Sequence, residues 1–133
     1  MRRAFVLGVL VIVGLAGPLL SGQQANFTGA VKNVDAADIR TVRFQYEAGA
    51  RSYWHTHEGS QILILEKGRG RVQEQGKPLR EMLPNQPVFL AAGVAHWHGA
   101  APDEGLTQIA VNIGGVKWGQ AVTDQEYKAS VAR

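Results

Sequence analysis

The amino-acid sequence predicts an all-β protein, built as an antiparallel sandwich or barrel around a single core. Short segments that alternate between apolar and polar residues, or that are rich in β-branched residues, recur along most of the chain. Gly, Pro, Asn and Asp separate these segments about every eight to twelve residues, a spacing typical of antiparallel sandwiches and barrels. Helical periodicity is scarce in the same region.

The strands are predicted in order from these patterns. Residues 41–46 alternate with a period of two, which places Val42, Phe44 and Tyr46 on one face of the first strand. Residues 61–65 form a short apolar run, which predicts a strand buried on both faces. Five more strands, each bounded by turn residues, are predicted at 70–75, 79–83, 87–91, 95–98 and 107–112.

One helix is predicted, close to the C-terminus. Thr123 is followed three residues later by Glu126, which is the spacing of a capping box, and the helix is expected to run to about residue 131. Residues 23–40 are polar, and at most an edge strand or a short turn is expected there.

Residues 1–22 are predicted to be a signal peptide. Arg2 and Arg3 precede an uncharged apolar run over residues 4–20, which ends in small and polar residues. A proline and glycines interrupt this run, and its length is at the lower limit for crossing a bilayer, so cleavage is favoured over a retained anchor. Residues 23–133 then form one domain in the periplasm or outside the cell, without stable membrane anchoring. The arginine pair also resembles a twin-arginine signal, but the ordinary secretion route is favoured.

The composition excludes several classes of site and partner. The chain has no cysteine, so disulfides, thiolate metal sites and a cysteine nucleophile are excluded. Its 14 basic residues include Arg2 and Arg3, so cleavage would leave 12 basic residues against 11 acidic ones. A charge so near neutrality gives no support for nucleic acid or an anionic membrane as a partner, and a small molecule is the expected ligand.

All four histidines fall in two pairs, His55 with His57 and His96 with His98. Residues i and i+2 of a strand lie on the same face, so each pair can direct two imidazoles to one side of a sheet. A single pair of this kind could equally lie in an exposed turn. Two pairs in one small all-β domain predict a divalent metal site, and imidazole ligands suit Mn, Fe, Co, Ni, Cu or Zn better than calcium or magnesium.

The residues around the first pair resemble the first sequence motif of the cupin family, G(X)5HXH(X)3,4E(X)6G. Gly93 and His96 fit the glycine and histidine of the second motif. The resemblance implies the small double-stranded β-helix, or jelly-roll barrel, of that family. The positions that match the first motif are Gly49, His55, His57, Gln61 and Gly68, with Gln61 in place of the glutamate.

By this resemblance the metal ligands are His55, His57, Gln61 and His96. Three imidazoles and a neutral amide would leave a divalent ion its full charge, which makes it a stronger Lewis acid than a site with a carboxylate. An alternative role for Gln61 is a strand-start amide that caps the turn before it. His98 has three open interpretations: an acid/base in the pocket, a residue that supports the metal site, or a partly buried histidine at a strand end.

The sequence also resembles the bacterial cupin-type hydroxynitrile lyases and the small cupins related to carboxymuconolactone decarboxylase. This resemblance implies a manganese ion, reversible addition of cyanide to an aldehyde, and a substrate pocket shaped by Val42 and Phe44. It spans residues 27–128 and depends mainly on segments 44–57, 96–102 and 122–127, together with Gln61.

Two positions depart from those lyases. Gln108 lies where they carry a histidine, which makes it a candidate catalytic residue of altered type. Asn112 lies where they carry a glutamine and is a candidate residue of the substrate pocket. Because that histidine is missing, His98 would have to act as the acid/base.

Three functional classes are consistent with these residues. The first is a metal-dependent carbonyl lyase of the hydroxynitrile-lyase type, with Mn as the expected ion and Fe, Zn, Ni or Cu as alternatives. The second is a metal-dependent dioxygenase or other oxidoreductase acting on a small enolic or phenolic substrate. The third is a non-catalytic periplasmic binding or sensing protein. A homodimer or tetramer is also predicted, because an antiparallel sandwich leaves strand edges that need covering.

Overall fold

The computed structural model describes residues 27–132, and the boundary between its two units lies between Val34 and Asp35. The described part of the first unit, residues 27–34, contains neither helix nor strand. The predicted signal peptide lies outside the described residues. Within them, no helix combines the length and the apolar character needed to cross a membrane.

Nine strands and one short helix make up the described part of the second unit. All seven strands predicted from these patterns are present, each within three residues of its expected ends. The elements are β1 (Ile39–Tyr46), β2 (His55–His57), β3 (Gln61–Gly68), β4 (Gly70–Glu74), β5 (Arg80–Met82), β6 (Val88–Leu90), β7 (His96–Ala100), β8 (Leu106–Ile113), β9 (Val116–Trp118) and α1 (Asp124–Tyr127).

The strands form two antiparallel sheets that enclose the core. Sheet 1 has the order β1-β8-β3-β6, and sheet 2 has the order β5-β4-β7-β2-β9. The link over residues 83–87 joins β5 to β6, so these two edge strands lie on the same side of the barrel. The other two edge strands, β1 and β9, therefore share the opposite side.

Side chains of both sheets alternate between the interior and the exterior. In β3, Gln61, Leu63 and Leu65 are buried, whereas Ile62 and Ile64 are only half-buried. The prediction that this strand is buried on both faces is therefore wrong. Sheet 1 packs on sheet 2 through its inner face, and a continuous apolar run cannot reveal that only every second residue takes part.

The core between the sheets is made of aliphatic side chains from six strands, and Tyr46 packs against it. Full burial of one such side chain contributes roughly 1.5–3 kcal/mol to the free energy of folding. The core residues are Leu63, Leu65, Val72, Met82, Val88, Leu90, Ala100, Leu106 and Ala110.

A second cluster covers the outer face of sheet 2. Trp97 is fully buried there with Leu79, Val122 and Tyr127. The Tyr127 hydroxyl donates a hydrogen bond of 2.7 Å to the carbonyl of Ala100, which ties the C-terminal segment to β7. Trp97 is thus a packing residue, as its position on the strand face opposite to the histidines suggests.

The helix α1 is shorter than predicted. Thr123 forms the expected capping box with Glu126, but α1 ends at Tyr127 and does not continue to residue 131. The chain leaves the helix because Val131 packs against the Trp97 cluster and the Ala132 amide donates to the carbonyl of Leu79. These long-range contacts outweigh the weak cooperativity of a helix of so few turns.

The edge strand β9 is an element that the sequence pattern does not predict. It pairs with β2 in antiparallel register, with Trp118 opposite His55. Only three residues form it after the turn at Gly114 and Gly115, which is too short a segment to display a period of two.

Two glycines with positive φ provide a test of the packing at the strand ends. A Cβ on Gly68 would overlap the carbonyl oxygen of Gly105, whereas a Cβ on Gly76 would meet nothing within 4 Å. We expect Gly76→Ala to lower the free energy of unfolding by about 1 kcal/mol through backbone strain alone. Gly68→Ala should lower it by roughly 3 kcal/mol or more, because backbone must also move. Urea unfolding of both variants measures the difference, and equal losses would contradict the close approach.

Candidate metal centre

The antiparallel pairing of β2 and β7 brings the two histidine pairs together. His55 lies opposite His96 in the register, and each strand directs both of its histidines to the interior. All four side chains are buried, with at most 6% of their surface exposed. The prediction that each pair faces one side of a sheet is confirmed.

Three of the four imidazoles converge on one point. His55, His57 and His96 each offer one ring nitrogen, and these nitrogens lie within 4.8 Å of one another. The ring centroids of His55 and His96 are 4.3 Å apart, and those of His55 and His57 are 5.2 Å apart. Among the described residues, this is the group of histidine and acidic side chains with the geometry to hold a metal ion.

Backbone carbonyls determine which nitrogen of two of these rings carries the proton. Nδ1 of His55 lies 2.9 Å from the carbonyl oxygen of Tyr53, and Nδ1 of His96 lies 2.8 Å from that of Val94. A carbonyl oxygen only accepts, so each Nδ1 must donate and must carry the ring proton. Each Nε2 is then left with a lone pair, which is the form that binds a metal.

Gln61 could offer a fourth ligand atom, and its side chain is oriented by Asn112. Its Nε2 donates a hydrogen bond of 2.7 Å to Oδ1 of Asn112, which turns Oε1 toward the histidines. Oε1 lies 3.0 Å from Nε2 of His96. Since His96 donates through Nδ1 and is neutral, both atoms of this short contact are hydrogen-bond acceptors. Two lone pairs so close together repel each other unless a cation lies between or beside them.

His57 gives independent support for a bound cation. Both of its ring nitrogens are buried, and neither has a hydrogen-bond partner. A buried polar atom without a partner costs roughly 1–3 kcal/mol, so proteins rarely retain one without a ligand. Coordination of a metal ion would satisfy one of these two nitrogens and remove its share of the cost.

The electrostatics of the site favour neutral imidazoles. Burial lowers the pKa of His55, and burial together with the neighbouring His55 lowers the pKa of His57. Burial, with a smaller effect of His55, lowers the pKa of His96 to about 4. The three rings are therefore unprotonated at neutral pH and are ready to donate their lone pairs to a divalent transition metal.

These observations agree with the predicted ligand set. The residues present fit a divalent transition metal with three nitrogen donors and one oxygen donor, because the donor set is neutral, convergent and otherwise unsatisfied. Gln61 does not cap the turn before it, since its side chain contacts Asn112 and His96.

The fourth histidine, His98, lies beside the group of three and is paired with Gln108. Its ring centroid is 5.3 Å from that of His55. Nε2 of Gln108 lies 3.3 Å from its Nδ1, and both side chains are almost completely buried. Burial holds the pKa of His98 well below its usual range, so the ring is neutral. Oε1 of Gln108 is buried and has no partner.

The candidate pocket residues lie on the inner faces of sheet 1. Val42 and Phe44 of β1 lie opposite Ala110 and Gln108, which face the interior. Phe44 and Gln108 therefore lie on the same face of sheet 1. Asn112, which is predicted to lie in the pocket, accepts a hydrogen bond from the side-chain amide of Gln61.

One residue next to the site was not singled out from the sequence. Trp118 of β9 lies opposite His55, with ring centroids 4.9 Å apart. The sequence gives little indication of this contact. Trp118 lies three residues beyond a Gly-Gly turn, and its partner is fixed only by the pairing of β9 with β2.

The lowered histidine pKa values predict how the metal-free protein responds to acid. An unfolded histidine titrates near pH 6.5, while His96 in the folded chain titrates near 4. Between these values the unfolded chain binds more protons, so the free energy of unfolding should fall as the pH falls from about 6.5 toward 4. Above about 6.5 both forms are neutral and this contribution is constant.

Urea unfolding in the presence of a chelator measures this dependence. One proton corresponds to about 1.4 kcal/mol for each pH unit. The His96→Gln variant, which cannot take up that proton, should show a shallower dependence over the same range. Identical slopes for the two proteins would contradict a buried neutral His96.

Removal of one imidazole should abolish stoichiometric metal binding. We expect about one Mn²⁺ or Zn²⁺ ion per chain in the parent protein and almost none in His57→Ala, because two imidazoles and an amide bind far less tightly. His98→Asn is the matched control, since His98 does not belong to the group of three, and it should keep its ion. Elemental analysis after dialysis measures the ratio. A full ion in His57→Ala would refute the assignment.

Comparison with known proteins identifies the family to which this chain is similar. A family model described as a cupin domain (Cupin_2) matches residues 42–112, which is more than half of the 133-residue chain. The chain is 37% identical over 112 residues to the (R)-mandelonitrile lyase of Granulicella tundricola, a likeness that covers 77% of this chain and 86% of that protein.

Solved structures with the same fold include a cupin-like protein of Thermotoga maritima. It is 41% identical, with a TM-score of 0.67, and the match covers 68% of this chain and 71% of that one. A DMSP lyase of Ruegeria pomeroyi is 18% identical, with a TM-score of 0.56 over 62% of this chain and 44% of that one, which is a likeness of fold alone. From its family match, its two antiparallel sheets and its inward-facing histidine pairs, the chain belongs to the cupin family.

Proposed function

We propose that this protein is a metal-dependent lyase that cleaves and forms cyanohydrins. The observation that carries the proposal is the convergence of three neutral imidazoles and one amide oxygen beside a fourth, buried histidine. The likeness to a mandelonitrile lyase over most of both chains supports the same reaction. Manganese is the ion that we propose for this site.

The proposed ligands are His55, His57, Gln61 and His96. A divalent ion held by them would supply a Lewis acid that polarises the oxygen on the cyanohydrin carbon. The chain's own contribution is to keep the ligand set uncharged: the carbonyls of Tyr53 and Val94 hold two of the imidazoles in the neutral, metal-binding tautomer.

His98 is the proposed proton-transfer residue. In cleavage, the bond between the carbinol carbon and the cyano carbon breaks, and its electron pair leaves with cyanide. The hydroxyl proton passes to Nε2 of His98 and then to cyanide, while the carbinol becomes an aldehyde, so that no charge or oxidation state changes overall. A neutral buried imidazole is suited to this task, because it can take up and return one proton.

Gln108 is proposed to orient His98 rather than to exchange protons itself. Nε2 of His98 can accept a proton only while Nδ1 carries one, and the amide of Gln108, which lies against Nδ1, can turn its unpartnered Oε1 to accept from that Nδ1–H. Because Nδ1 keeps its proton throughout, this bond holds the ring in place through both steps of the transfer. Gln108 thus has a proposed role, although it lies where the cupin-type hydroxynitrile lyases carry a histidine.

The proposed function is tested by turnover of racemic mandelonitrile. We expect benzaldehyde and hydrogen cyanide to form in equal amounts, with loss of activity on chelation and recovery with Mn²⁺. His98→Asn should lower kcat roughly 100-fold or more while the ion is retained, because a positioned acid/base contributes about that factor. Absence of benzaldehyde from protein that holds a full complement of Mn²⁺ would refute the proposal.

The neutral amide ligand allows a sharper prediction. Gln61→Glu should retain the ion but lower the rate of mandelonitrile cleavage by roughly tenfold or more, because a carboxylate reduces the charge available to polarise the substrate oxygen. Gln86→Glu, an exposed change in the link between β5 and β6, is the control for added charge. Unchanged turnover in Gln61→Glu with the ion bound would remove this explanation.

Export of the chain and its self-association as a homodimer or tetramer stay predictions.

A further inference from the structure

The side of the barrel between β1 and β9 carries exposed apolar side chains. Inner-face apolar side chains of the other strands are buried, but large apolar residues on the inner faces of these two edge strands are exposed. Phe44 is 41% exposed, Val116 is 45% exposed and Trp118 is 61% exposed. Exposed apolar groups that line one opening indicate a place where an apolar ligand binds.

Trp118 connects this opening to the metal centre. It lies opposite His55 in the β2–β9 register, and the two ring centroids are 4.9 Å apart. His55 is in turn a member of the converging group of histidines. A ligand group held against the indole of Trp118 would therefore lie next to the reacting centre.

The space beside Trp118 is large enough for a flat ring. A cavity of about 220 Å³ at the β9 edge has His55 and Trp118 in its lining, with Thr56 and Lys117 of the same two strands and the flanking residues Trp54, Ala95 and Gly119. A dry cavity of about 150 Å³ can hold benzene. Of the residues that line this cavity, Lys117 is the charged one, and the rest are aromatic, small or uncharged. Trp54, His55 and Trp118 of this lining offer aromatic faces to an unsaturated ring.

We infer that Trp118 forms a subsite for the aromatic ring of the substrate and favours aryl over aliphatic compounds. This inference deepens the proposed function, since it names the part of the substrate that the β1–β9 opening receives. Offset or edge-to-face contact with an indole contributes affinity beyond simple burial, and a saturated ring of similar size gains only the burial. Trp118 is thus a specificity-determining residue and takes no part in proton transfer.

Binding of inert alcohols tests the subsite without turnover. We expect the purified chain to bind 4-fluorobenzyl alcohol more tightly than cyclohexylmethanol, as measured by ligand-observed NMR titration. Trp118→Thr, a change compatible with a strand, should weaken binding of the aryl alcohol roughly three- to tenfold and binding of cyclohexylmethanol less. Trp118→Phe should restore most of the aryl preference.

Phe89→Ala is the matched control, because Phe89 is also an exposed aromatic residue of an edge strand but lies on the outer face of sheet 1. It should leave both affinities unchanged. Equal affinity of the two alcohols for the parent chain, or unchanged aryl binding in a folded Trp118→Thr, would overturn the inference. So would a Trp118→Thr variant that changes oligomeric mass alone, which would make the indole a contact between copies.

The outcome separates this inference from the proposed lyase activity. Trp118-dependent binding of the aryl alcohol by a protein that does not cleave mandelonitrile would support the subsite and refute the reaction. Cleavage of mandelonitrile with the same KM in the parent and in Trp118→Thr would support the reaction and overturn the subsite.

Discussion

The interior of this barrel can hold four histidines only if all of them remain uncharged. Four imidazolium groups within a few ångströms of one another, out of water, would repel strongly and could not be solvated. Neutrality in turn leaves each ring with one lone pair, whose direction depends on which nitrogen carries the proton. The carbonyls of Tyr53 and Val94 make that choice for His55 and His96, each from two residues earlier in the chain. The backbone of β2 and β7 thus orients the lone pairs as well as the rings.

The covering of sheet 2 contributes to the same arrangement. Trp97 stands between His96 and His98 and faces the opposite way, into the cluster with Tyr127 and Val122. The Tyr127 hydroxyl bonds to the carbonyl of Ala100 at the end of the same strand. Because β7 is held from outside by the C-terminal segment, its two histidines have little freedom to move away from the interior.

The repeating patterns of the sequence predict most of the fold, and the histidine spacing predicts most of the site. A period of two is a property of local backbone geometry, so it is visible in segments such as residues 41–46 without knowledge of the partner strand. Burial is not local in this sense. Ile62 and Ile64 look identical in type to their inward neighbours, and only the one-sided packing of sheet 1 distinguishes them.

The remaining features depend on contacts between residues far apart in sequence. The link between Asn112 and Gln61 joins positions 51 residues apart and follows from the register of β3 with β8. The end of α1 depends on a bond between Ala132 and Leu79. Trp118 reaches His55 only because a two-glycine turn returns the chain as β9. None of these contacts leaves a periodic pattern in the sequence, so the sequence alone does not predict them.

The strand β2 has only three residues, and it meets β7 at a single register pair. Two of the three converging imidazoles nevertheless belong to it. An ion bound by His55 and His57 from one strand and His96 from the other would therefore act as a cross-link at the seam where the backbone ladder is thinnest. Release of the ion would then follow the rate at which β2 separates locally from its neighbouring strands. The lifetime of the metal-bound protein would therefore depend on the stability of this sheet edge as much as on the bonds to the ligands.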